Sequence, residues 1–175
     1  IGLSGGFLEP LESTSIDLIQ SGILNLVDLF PTDRIQEADR REYNRLMDLE
    51  FARIRDFLVL HYVANQREGE FWRAMREMKL PDSLEAKIAD FRSRAMLPDY
   101  SEGLFQAPSW ISVFLGQNIV PEGWDPRAGD LSDEDLAVRL AKVRERVVQH
   151  AKAMPEHLAW IRKAGAGFQA TSARR

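Results

Sequence analysis

The sequence predicts a mainly α-helical protein, and three observations support that fold class. Apolar residues recur at the three- and four-residue spacing of a helix along most of the 175 residues. Prolines and glycines bound these periodic segments, as they do at helix ends. The chain contains no Gly-x-Gly-x-x-Gly sequence, the fingerprint of a dinucleotide-binding Rossmann unit. A chain of this length can bury a hydrophobic core, so we expect one domain.

The first two helices are predicted from their apolar stripes. Residues 1–10 contain glycines and a proline and are expected to form a loop or the end of a strand. From Ile16 the helical spacing continues to Pro31, which ends the first helix. Gly22 lies inside this helix at a cost of about 1 kcal/mol relative to Ala, which indicates a close helix contact. A second, longer helix is predicted over about residues 35–64, with a stripe of Tyr43, Met47, Ile54, Leu58 and His61.

Shorter helices are predicted in the middle of the chain. Residues 71–78 form one of them, and Pro81-Asp82-Ser83 is predicted to cap the next. Residues 97–108 contain two prolines and a glycine, which favours a loop. The apolar run over residues 110–115 has a length that fits a strand or a buried helix. We expect a helix there, because every neighbouring segment is helical.

The C-terminal part begins with a helix-start signal. Ser132 and Asp135 resemble a capping box and open a helix that Pro155 breaks. A final helix follows, and the glycines and Ser/Arg residues after it predict a frayed tail over residues 165–175. The stripe of the helix before Pro155 consists of Leu136, Leu140, Val143 and Val147.

Composition excludes several classes of function. The net charge of −4 and the pI near 5.5 argue against a nucleic acid partner, which favours a basic face. The chain has no Cys, which excludes disulfides, thiolate catalysis and zinc–thiolate sites. No segment approaches the roughly 18–20 apolar residues of a membrane span, and no signal-peptide layout opens the chain. We therefore expect a cytoplasmic location.

One segment carries chemistry, the Gly-Phe-Leu-Glu-Pro-Leu-Glu-Ser-Thr run over residues 6–14. It is a turn that delivers a carboxylate and two hydroxyls to the start of a helix. Unpaired N–H groups and the positive end of the helix dipole favour an anion there. Ser13 or Thr14 is expected to cap one of these N–H groups. From the residues alone, an ordinary cap with Glu12 as a solvated carboxylate is the simpler interpretation.

The same run, from Gly6 to Thr14, resembles without a gap a motif of the flavin-dependent tryptophan halogenases, where it joins the flavin module to the helical module. Further segments resemble the family in the same order, and together they cover about residues 2–126. This shared order is more specific than any one match. The segments are Arg55-Asp56-Phe57-Leu58, Leu60-His61-Tyr62, Phe71-Trp72-Arg73, Pro81-Asp82-Ser83-Leu84, Lys87-Ile88, Ser109-Trp110, and Gly116-Gln117 before Pro121.

The resemblance implies the helical C-terminal, substrate-side module of a two-module flavin-dependent halogenase, with the FAD-binding α/β module absent. It implies a junction with that module over residues 1–15, a helical module over 16–164 and the frayed tail over 165–175. The family uses reduced FAD from a flavin reductase, with oxygen and chloride or bromide, to form hypohalous acid, and it needs no metal. A lysine then presents this oxidant to an electron-rich aromatic ring, such as that of tryptophan or indole. That lysine and the flavin-binding glycines belong to the family's N-terminal half, so we expect the chain alone to be inactive.

The resemblance also assigns roles at the start of the first helix. Glu12 matches the catalytic glutamate, which polarises the oxidant or stabilises and deprotonates the cationic ring. Ser13, Thr14 and Ser15 match the part of the helix start that faces the halide and the flavin. Ser15 stands where the family often has Gly, and it keeps the backbone amide but adds a side chain. We therefore expect a tighter or rearranged halide pocket.

A second set of residues matches the family's substrate site. Phe105, with Leu104 beside it, matches the loop whose aromatic side chains sandwich the indole ring, although core packing explains Phe105 equally well. Enzymes that act on free tryptophan carry two tyrosines earlier in this loop, and only Tyr100 is present here. We therefore expect a substrate other than free tryptophan, such as indole or a larger aromatic. His61, on the apolar stripe, is better explained as a satisfied core histidine than as a catalytic one.

Two alternatives stay open from the sequence. One is a related flavin-dependent monooxygenase that transfers oxygen to its substrate. The other is a non-catalytic helical module that acts through protein contact. If much of the interface with the flavin module is missing, the chain is expected to expose an apolar patch larger than is usual for a monomer, and it can form a homo-oligomer through that patch.

Overall fold

The computed structural model describes the backbone of residues 4–97 and 103–172, together with their side chains except those of 127–128 and 166–172. Seven α-helices and no β-strand lie in this described part, which confirms the mainly α fold class. Two 3₁₀ segments, Leu11–Ser13 and Pro126–Asp130, accompany them. The helices are α1 (Thr14–Asp28), α2 (Glu37–Val63), α3 (Glu70–Glu77), α4 (Asp82–Arg94), α5 (Ala107–Gly116), α6 (Asp133–Ala153) and α7 (His157–Ser172).

The chain divides into two compact units, Ile1–Asp125 and Pro126–Arg175. The first unit holds α1 to α5, the hydrophobic core and all the predicted site residues. The second holds α6 and α7. The predicted division at residues 15/16 and 164/165 refers to an arrangement within a larger enzyme and stays a prediction. No helix among the described residues is both long enough and apolar enough to cross a membrane.

Helix α2 is the central element of the first unit, since α1, α3, α4 and α5 all contact it. It begins with a capping box in which Gln36 N donates to Asp39 Oδ2 at 3.0 Å, and it buries its C-terminal half. Two clusters of buried side chains form the core on this half. The larger consists of Phe57, Leu60, Ala64, Leu84, Phe91, Trp110, Phe114 and Ile119, and the smaller of Leu18, Ile54 and Leu58.

Helix α1 packs against α2 at the glycine that the sequence singled out. Gly22 is buried, and a Cβ built there would lie 3.4 Å from Tyr43 Oη and 3.5 Å from Met47 Cε. The glycine therefore marks a close contact between the two helices, as predicted. This contact fixes the direction of α1, at whose start the predicted catalytic residues lie.

The start of α4 differs from the prediction. Pro81 takes the N-cap position, and no side chain caps the helix. Ser83 instead donates a 2.6 Å hydrogen bond to Oδ2 of Asp56, a buried α2 residue that also accepts from Arg55 at 2.7 Å. A buried carboxylate without partners is unfavourable, so the serine satisfies Asp56 rather than the helix end.

The second unit confirms the predicted helix start and the predicted break. The Asp135 N–H donates to Ser132 Oγ at 3.1 Å, and α6 ends at Ala153, just before Pro155. Helix α7 extends to Ser172, beyond the expected boundary at residue 164. Alanines that alternate with the two glycines favour a continued helix and offset the glycine cost of about 1 kcal/mol each. The α6 stripe of Leu136, Leu140, Val143 and Val147 is exposed.

Candidate active site at the start of α1

The turn before α1 has an uncommon backbone. Glu12 and Ser13 are consecutive non-glycine residues with positive φ values of 59° and 55°. The 3₁₀ hydrogen bond from Ser13 N to Pro10 O, at 2.9 Å, closes the turn. Left-handed backbone is unfavourable for residues with a Cβ, and such residues persist where the surrounding structure holds them. They also concentrate at functional sites, which makes this turn a candidate.

The hydroxyl groups behave differently from the predicted caps. Ser13 occupies the N-cap position of α1, but its side chain accepts no capping hydrogen bond. A capping serine normally has an extended backbone, and the left-handed conformation of Ser13 is incompatible with that geometry. Thr14 is fully buried, and neither its Oγ1 nor the buried Oγ of Ser15 has a hydrogen-bond partner. The start of α1 thus has the positive end of the helix dipole, no side-chain cap and two unpaired hydroxyls. Its backbone N–H groups and these hydroxyls are donors that fit an anion.

Glu12 lies beside a histidine of α2. Its Oε1 is 3.7 Å from His61 Nε2, and the exposed fractions of the two side chains are 46% and 20%. The other ring nitrogen, Nδ1, lies 2.8 Å from the carbonyl oxygen of Phe57. The sequence favoured a satisfied core histidine. The ring is indeed bonded to its own helix, but it also faces the predicted catalytic carboxylate, which the sequence did not indicate.

Two further contacts fix the segment before Glu12 on α2. Tyr62 Oη donates a 2.6 Å hydrogen bond to Oε2 of Glu9, and this bond is the first cause, ahead of burial, of a raised pKa for Tyr62. The backbone at Gly6 lies so close to Phe51 that a Cβ there would be 2.7 Å from the ring Cζ. The segment from Gly6 to Glu12 therefore meets α2 at three points, and this explains what maintains the strained turn.

Phe105 connects to this site through stacked rings. It stacks on Phe57 with a centroid distance of 3.8 Å, and Phe57 in turn meets His61 edge-on at 4.8 Å. The Phe105 carbonyl accepts a hydrogen bond from Trp110 Nε1 at 3.2 Å. Phe105 is half-buried and packs against both core clusters, so the core-packing interpretation holds. Contact between its remaining surface and a substrate stays a prediction, and Tyr100 lies outside the described residues.

Leu104 faces a different cavity from the one beside Glu12. It lines a cavity of about 490 Å³ together with Asp17 of α1 and with Glu50 and Arg53 of α2. Its N–H donates to Glu50 Oε1 at 3.2 Å. His61 lines a smaller cavity of about 230 Å³ with Tyr62, Arg67 and Trp72 among its neighbours. The structure thus groups Glu12, Ser13, Thr14 and Ser15 with Phe105 through His61 and Phe57, and places Leu104 on the wall of a second cavity.

Hydrogen-bond donors for an anion are present at the start of α1. Among the described residues, no group of three or more His, Cys, Asp or Glu side chains could hold a metal ion. The buried Thr14 Oγ1 and Ser15 Oγ have no hydrogen-bond partner, and each hydroxyl can donate a hydrogen bond to an anion. The sequence contains no Gly-x-Gly-x-x-Gly motif for a dinucleotide, and a flavin-facing role for Ser13 to Ser15 stays a prediction.

Comparison with known proteins identifies the family. The fold and the site define a helical module with a partly exposed carboxylate in a left-handed turn before its first helix. Residues 1–133 match the family model described as tryptophan halogenase. The chain therefore belongs to the tryptophan halogenase family, which confirms the resemblance inferred over residues 2–126.

Individual relatives agree with that assignment. The chain is 32% identical over 169 residues to 7-chloro-L-tryptophan 6-halogenase KtzR of Kutzneria sp. (strain 744), an alignment that covers 92% of this chain and 32% of the relative. It is 40% identical over 127 residues to tryptophan 6-halogenase SttH of Streptomyces toxytricini, covering 69% of this chain and 24% of SttH.

Solved structures show the same fold. Xcc4156, a flavin-dependent halogenase from Xanthomonas campestris, matches with a TM-score of 0.87 and 42% identity, over 93% of this chain and 33% of its own. BrvH, a flavin-dependent halogenase from Brevundimonas sp. BAL3, matches with a TM-score of 0.84 and 40% identity over the same shares. The chain thus spans about a third of the length of these halogenases.

Proposed function

We propose that this chain is the substrate-side module of an enzyme that uses reduced FAD to chlorinate or brominate an electron-rich aromatic substrate through hypohalous acid. One observation carries the proposal. Glu12, the residue that matches the family's catalytic glutamate, lies in a left-handed turn at the start of a helix that no side chain caps. A partly exposed carboxylate in a turn held at three points is available to a substrate while its backbone stays fixed.

The halide is proposed to bind at the first residues of α1. The amides at this helix end and the helix dipole attract an anion, and the unpaired hydroxyls of Thr14 and Ser15 add donors. Ser15 supplies its amide where the family often has Gly, and its buried Oγ narrows the space. Reduced FAD, when bound, would supply the two electrons that activate oxygen, which then oxidises the halide, and Ser13 to Ser15 would form the edge of this chain toward the flavin.

Glu12 is proposed to act on the ring. Attack of an electron-rich ring on the oxidant places positive charge on that ring, and a nearby carboxylate lowers the energy of this cation. The same carboxylate can take the proton from the halogenated carbon, which restores the aromatic ring. The partial exposure of Glu12 fits a group that must reach a ligand outside the described core.

Phe105 and Leu104 are proposed to contribute to the wall of the substrate site. Phe105 is held by its stack on Phe57 and by the bond between its carbonyl and Trp110, so its ring has a fixed orientation. A fixed aromatic ring favours a flat aromatic guest by stacking. Tryptophan, indole or a similar ring is the proposed substrate class, in agreement with the tryptophan halogenases among the relatives.

The remaining partners follow from the same proposal. The FAD-binding module and a flavin reductase would supply what this chain lacks, and the isolated chain would be inactive. Helix α1 exposes an apolar face that includes Ile16, Ile23 and Val27, and Phe30 just after the helix is exposed as well. A face of this kind is suited to cover by another module or by a second copy of the chain.

Turnover by the intact enzyme that contains this chain tests the proposal. An indole panel would be incubated with reduced FAD, oxygen and each halide in turn, and products identified by mass spectrometry. We expect halogenated products, and a loss of about 10²–10⁴-fold in kcat for Glu12→Gln, the range for a removed acid–base group. Glu85→Gln, at an exposed α4 carboxylate, is the matched control and should keep full activity.

Hydroxylated products that need no halide would support a monooxygenase instead, and undiminished turnover of Glu12→Gln would contradict the role of Glu12.

A further inference from the structure

The hydrogen bonding of His61 determines which ring nitrogen faces Glu12 and in what state. Nδ1 lies 2.8 Å from the carbonyl oxygen of Phe57, one helical turn earlier. A carbonyl oxygen only accepts, so Nδ1 carries a hydrogen and donates it. In the neutral ring, Nε2 is then an acceptor with a free lone pair, and this atom is the one 3.7 Å from Glu12 Oε1.

A separation of 3.7 Å between two acceptors has a chemical meaning. It exceeds the length of a hydrogen bond, so the two groups lie close to each other without one. If Glu12 receives a proton, the pair gains a donor and can close to hydrogen-bond distance. Hydrogen bonds at active sites are often long before the substrate arrives and shorten in the reacting complex.

We propose that His61 is a positioning residue for Glu12 and the acceptor of the proton that Glu12 takes from the substrate ring, an inference that rests on the proposed function. The halogenated ring cation loses the proton on its substituted carbon to a Glu12 oxygen, and the C–H electron pair restores the aromatic ring. Glu12 passes this proton to Nε2, which leaves the carboxylate charged and His61 as the imidazolium. The imidazolium then loses the proton from Nε2 to water, while the hydrogen on Nδ1 stays on that nitrogen and is donated to the Phe57 carbonyl throughout.

The surroundings of His61 fit this role. The ring is fixed by Phe57, which holds Nδ1 by its carbonyl and meets the ring edge-on at 4.8 Å. The side chain keeps 20% exposure, which gives the proton a route to water. His61 is therefore the fixed member of the pair, and it orients the more exposed Glu12 side chain.

Other charged groups near His61 are engaged elsewhere. In the cavity that His61 lines, Arg67 lies over the Trp72 ring at 5.4 Å, and Tyr62 donates to Glu9. The neighbour from the end of α5 is the uncharged Gln117. Within the described part of the chain, Glu12 is the acidic side chain found within 4 Å of a His61 nitrogen.

Two variants of the intact enzyme separate orientation from proton acceptance. His61→Asn can keep a donor for the Phe57 carbonyl but reaches no further, so Glu12 loses its partner. His61→Gln can still donate toward Glu12 but cannot take a proton. We expect His61→Asn to lower kcat by up to about 100-fold, the effect of a misplaced reacting group, with KM little changed. His61→Gln should recover part of this loss.

The deuterium isotope effect on turnover, kH/kD, distinguishes the proposed role of His61 from a purely structural one. With a substrate deuterated at the carbon that is halogenated, kH/kD should be higher in His61→Asn than in the wild type, because a Glu12 without its positioning partner removes the C–H proton more slowly. In a Glu12→Gln background, His61→Gln should have no further effect, since the two residues act in one step. Wild-type kcat in both histidine variants, or additive losses with an unchanged isotope effect, would overturn the inference. If Glu12→Gln loses activity and the His61 variants do not, the inference about His61 is wrong and the proposed function stands. Full activity of Glu12→Gln would instead overturn the proposed role of Glu12.

Discussion

The phenolic Oη of Tyr62 donates a 2.6 Å hydrogen bond to Oε2 of Glu9, and this bond joins α2 to a residue three positions before Glu12. It closes a connection between residues that lie 53 positions apart in the sequence. Because Glu12 has a left-handed backbone, its turn needs support from outside the turn itself. The bond therefore links the packing of α2 to the position of the proposed catalytic carboxylate.

Loss of this bond should impair catalysis more than folding. We expect Tyr62→Phe in the intact enzyme to lower kcat by up to about 100-fold, because a shift of about 1 Å in a reacting group can have that effect. Tyr43→Phe, at the other end of α2, is the matched control and should keep its activity. Measurement of kcat and of the melting temperature for both variants tests this, and full activity of Tyr62→Phe would show that the bond does not hold the turn.

The same bond predicts a pH dependence of stability. The hydrogen bond to Glu9 raises the pKa of Tyr62 above its ordinary value of 10.0, with burial as the second cause. A raised pKa means that the fold favours the protonated phenol, so the stabilisation is fully present below pH 10 and is lost as the pH rises through the folded-state pKa. Urea unfolding of the isolated chain at pH 8 and above pH 10 should show a steeper decline for the wild type than for Tyr62→Phe. Parallel declines would be the contrary result.

The contact between Gly6 and Phe51 predicts an effect of added volume. A Cβ at position 6 would lie 2.7 Å from Cζ of Phe51, so Gly6→Ala forces the segment or the ring to move. Overpacking of this kind costs about 1–3 kcal/mol, and we expect such a loss in the free energy of unfolding. Gly116→Ala is the control, since a Cβ there meets no atom within 4 Å. If the two variants were equally stable, the close approach would have no energetic importance.

The sequence predicts those features of the fold that neighbouring residues determine. The periodicity of α1 and α2 gave their extents to within about two residues, and Pro155 and the Ser132 cap marked real ends, because helix starts and stops are set by neighbouring residues. The left-handed conformations of Glu12 and Ser13 had no local signal, since neither residue is a glycine. They depend on contacts with α2 that are distant in sequence.

Contacts between residues that are distant in sequence also limited the prediction of the site. The sequence indicated Glu12 through a family motif, but it could not show that His61 lies beside it, because helical spacing predicts a buried face and not what covers that face. The side-chain caps expected from Ser13 or Thr14 and from Pro81-Asp82-Ser83 were wrong for a related reason. A hydroxyl near a helix start can instead lie unpaired or satisfy a distant carboxylate, as Ser83 does for Asp56.

The carboxylate of Asp17 predicts a stabilising substitution. Burial raises the pKa of Asp17 from its ordinary value of 3.8, and its Oδ2 is buried without a partner. A raised pKa in an acid means that the fold disfavours the charged form, so stability falls as the pH rises from 3.8 through the folded-state pKa. Asp17→Asn should therefore raise the melting temperature of the isolated chain at pH 7, and the gain should vanish below pH 3.8.

Asp48→Asn, at an exposed position in the middle of α2, is the control for Asp17 and should have little effect at either pH. The position of Asp17 in the first turn of α1 works in the opposite direction, since a negative charge there gains about 0.3–1 kcal/mol from the helix dipole. A lower melting temperature for Asp17→Asn at pH 7 would therefore mean that the dipole outweighs the burial.

The apolar face of α1 predicts association of the isolated chain. Ile16, Ile23 and Val27 recur at helical spacing, and each is exposed. Apolar patches of this kind are usual at interfaces and uncommon on free monomers. We expect the isolated chain to bind a hydrophobic dye and to scatter light as an oligomer, and the double variant Ile23→Lys and Val27→Lys to reduce both signals while its helix content stays unchanged. Ser93→Lys, at an exposed position on α4, should leave both signals as they are in the wild type. A monomeric wild type without dye fluorescence would show that this face needs no cover, and it would remove the physical reason for placing a neighbouring module against α1.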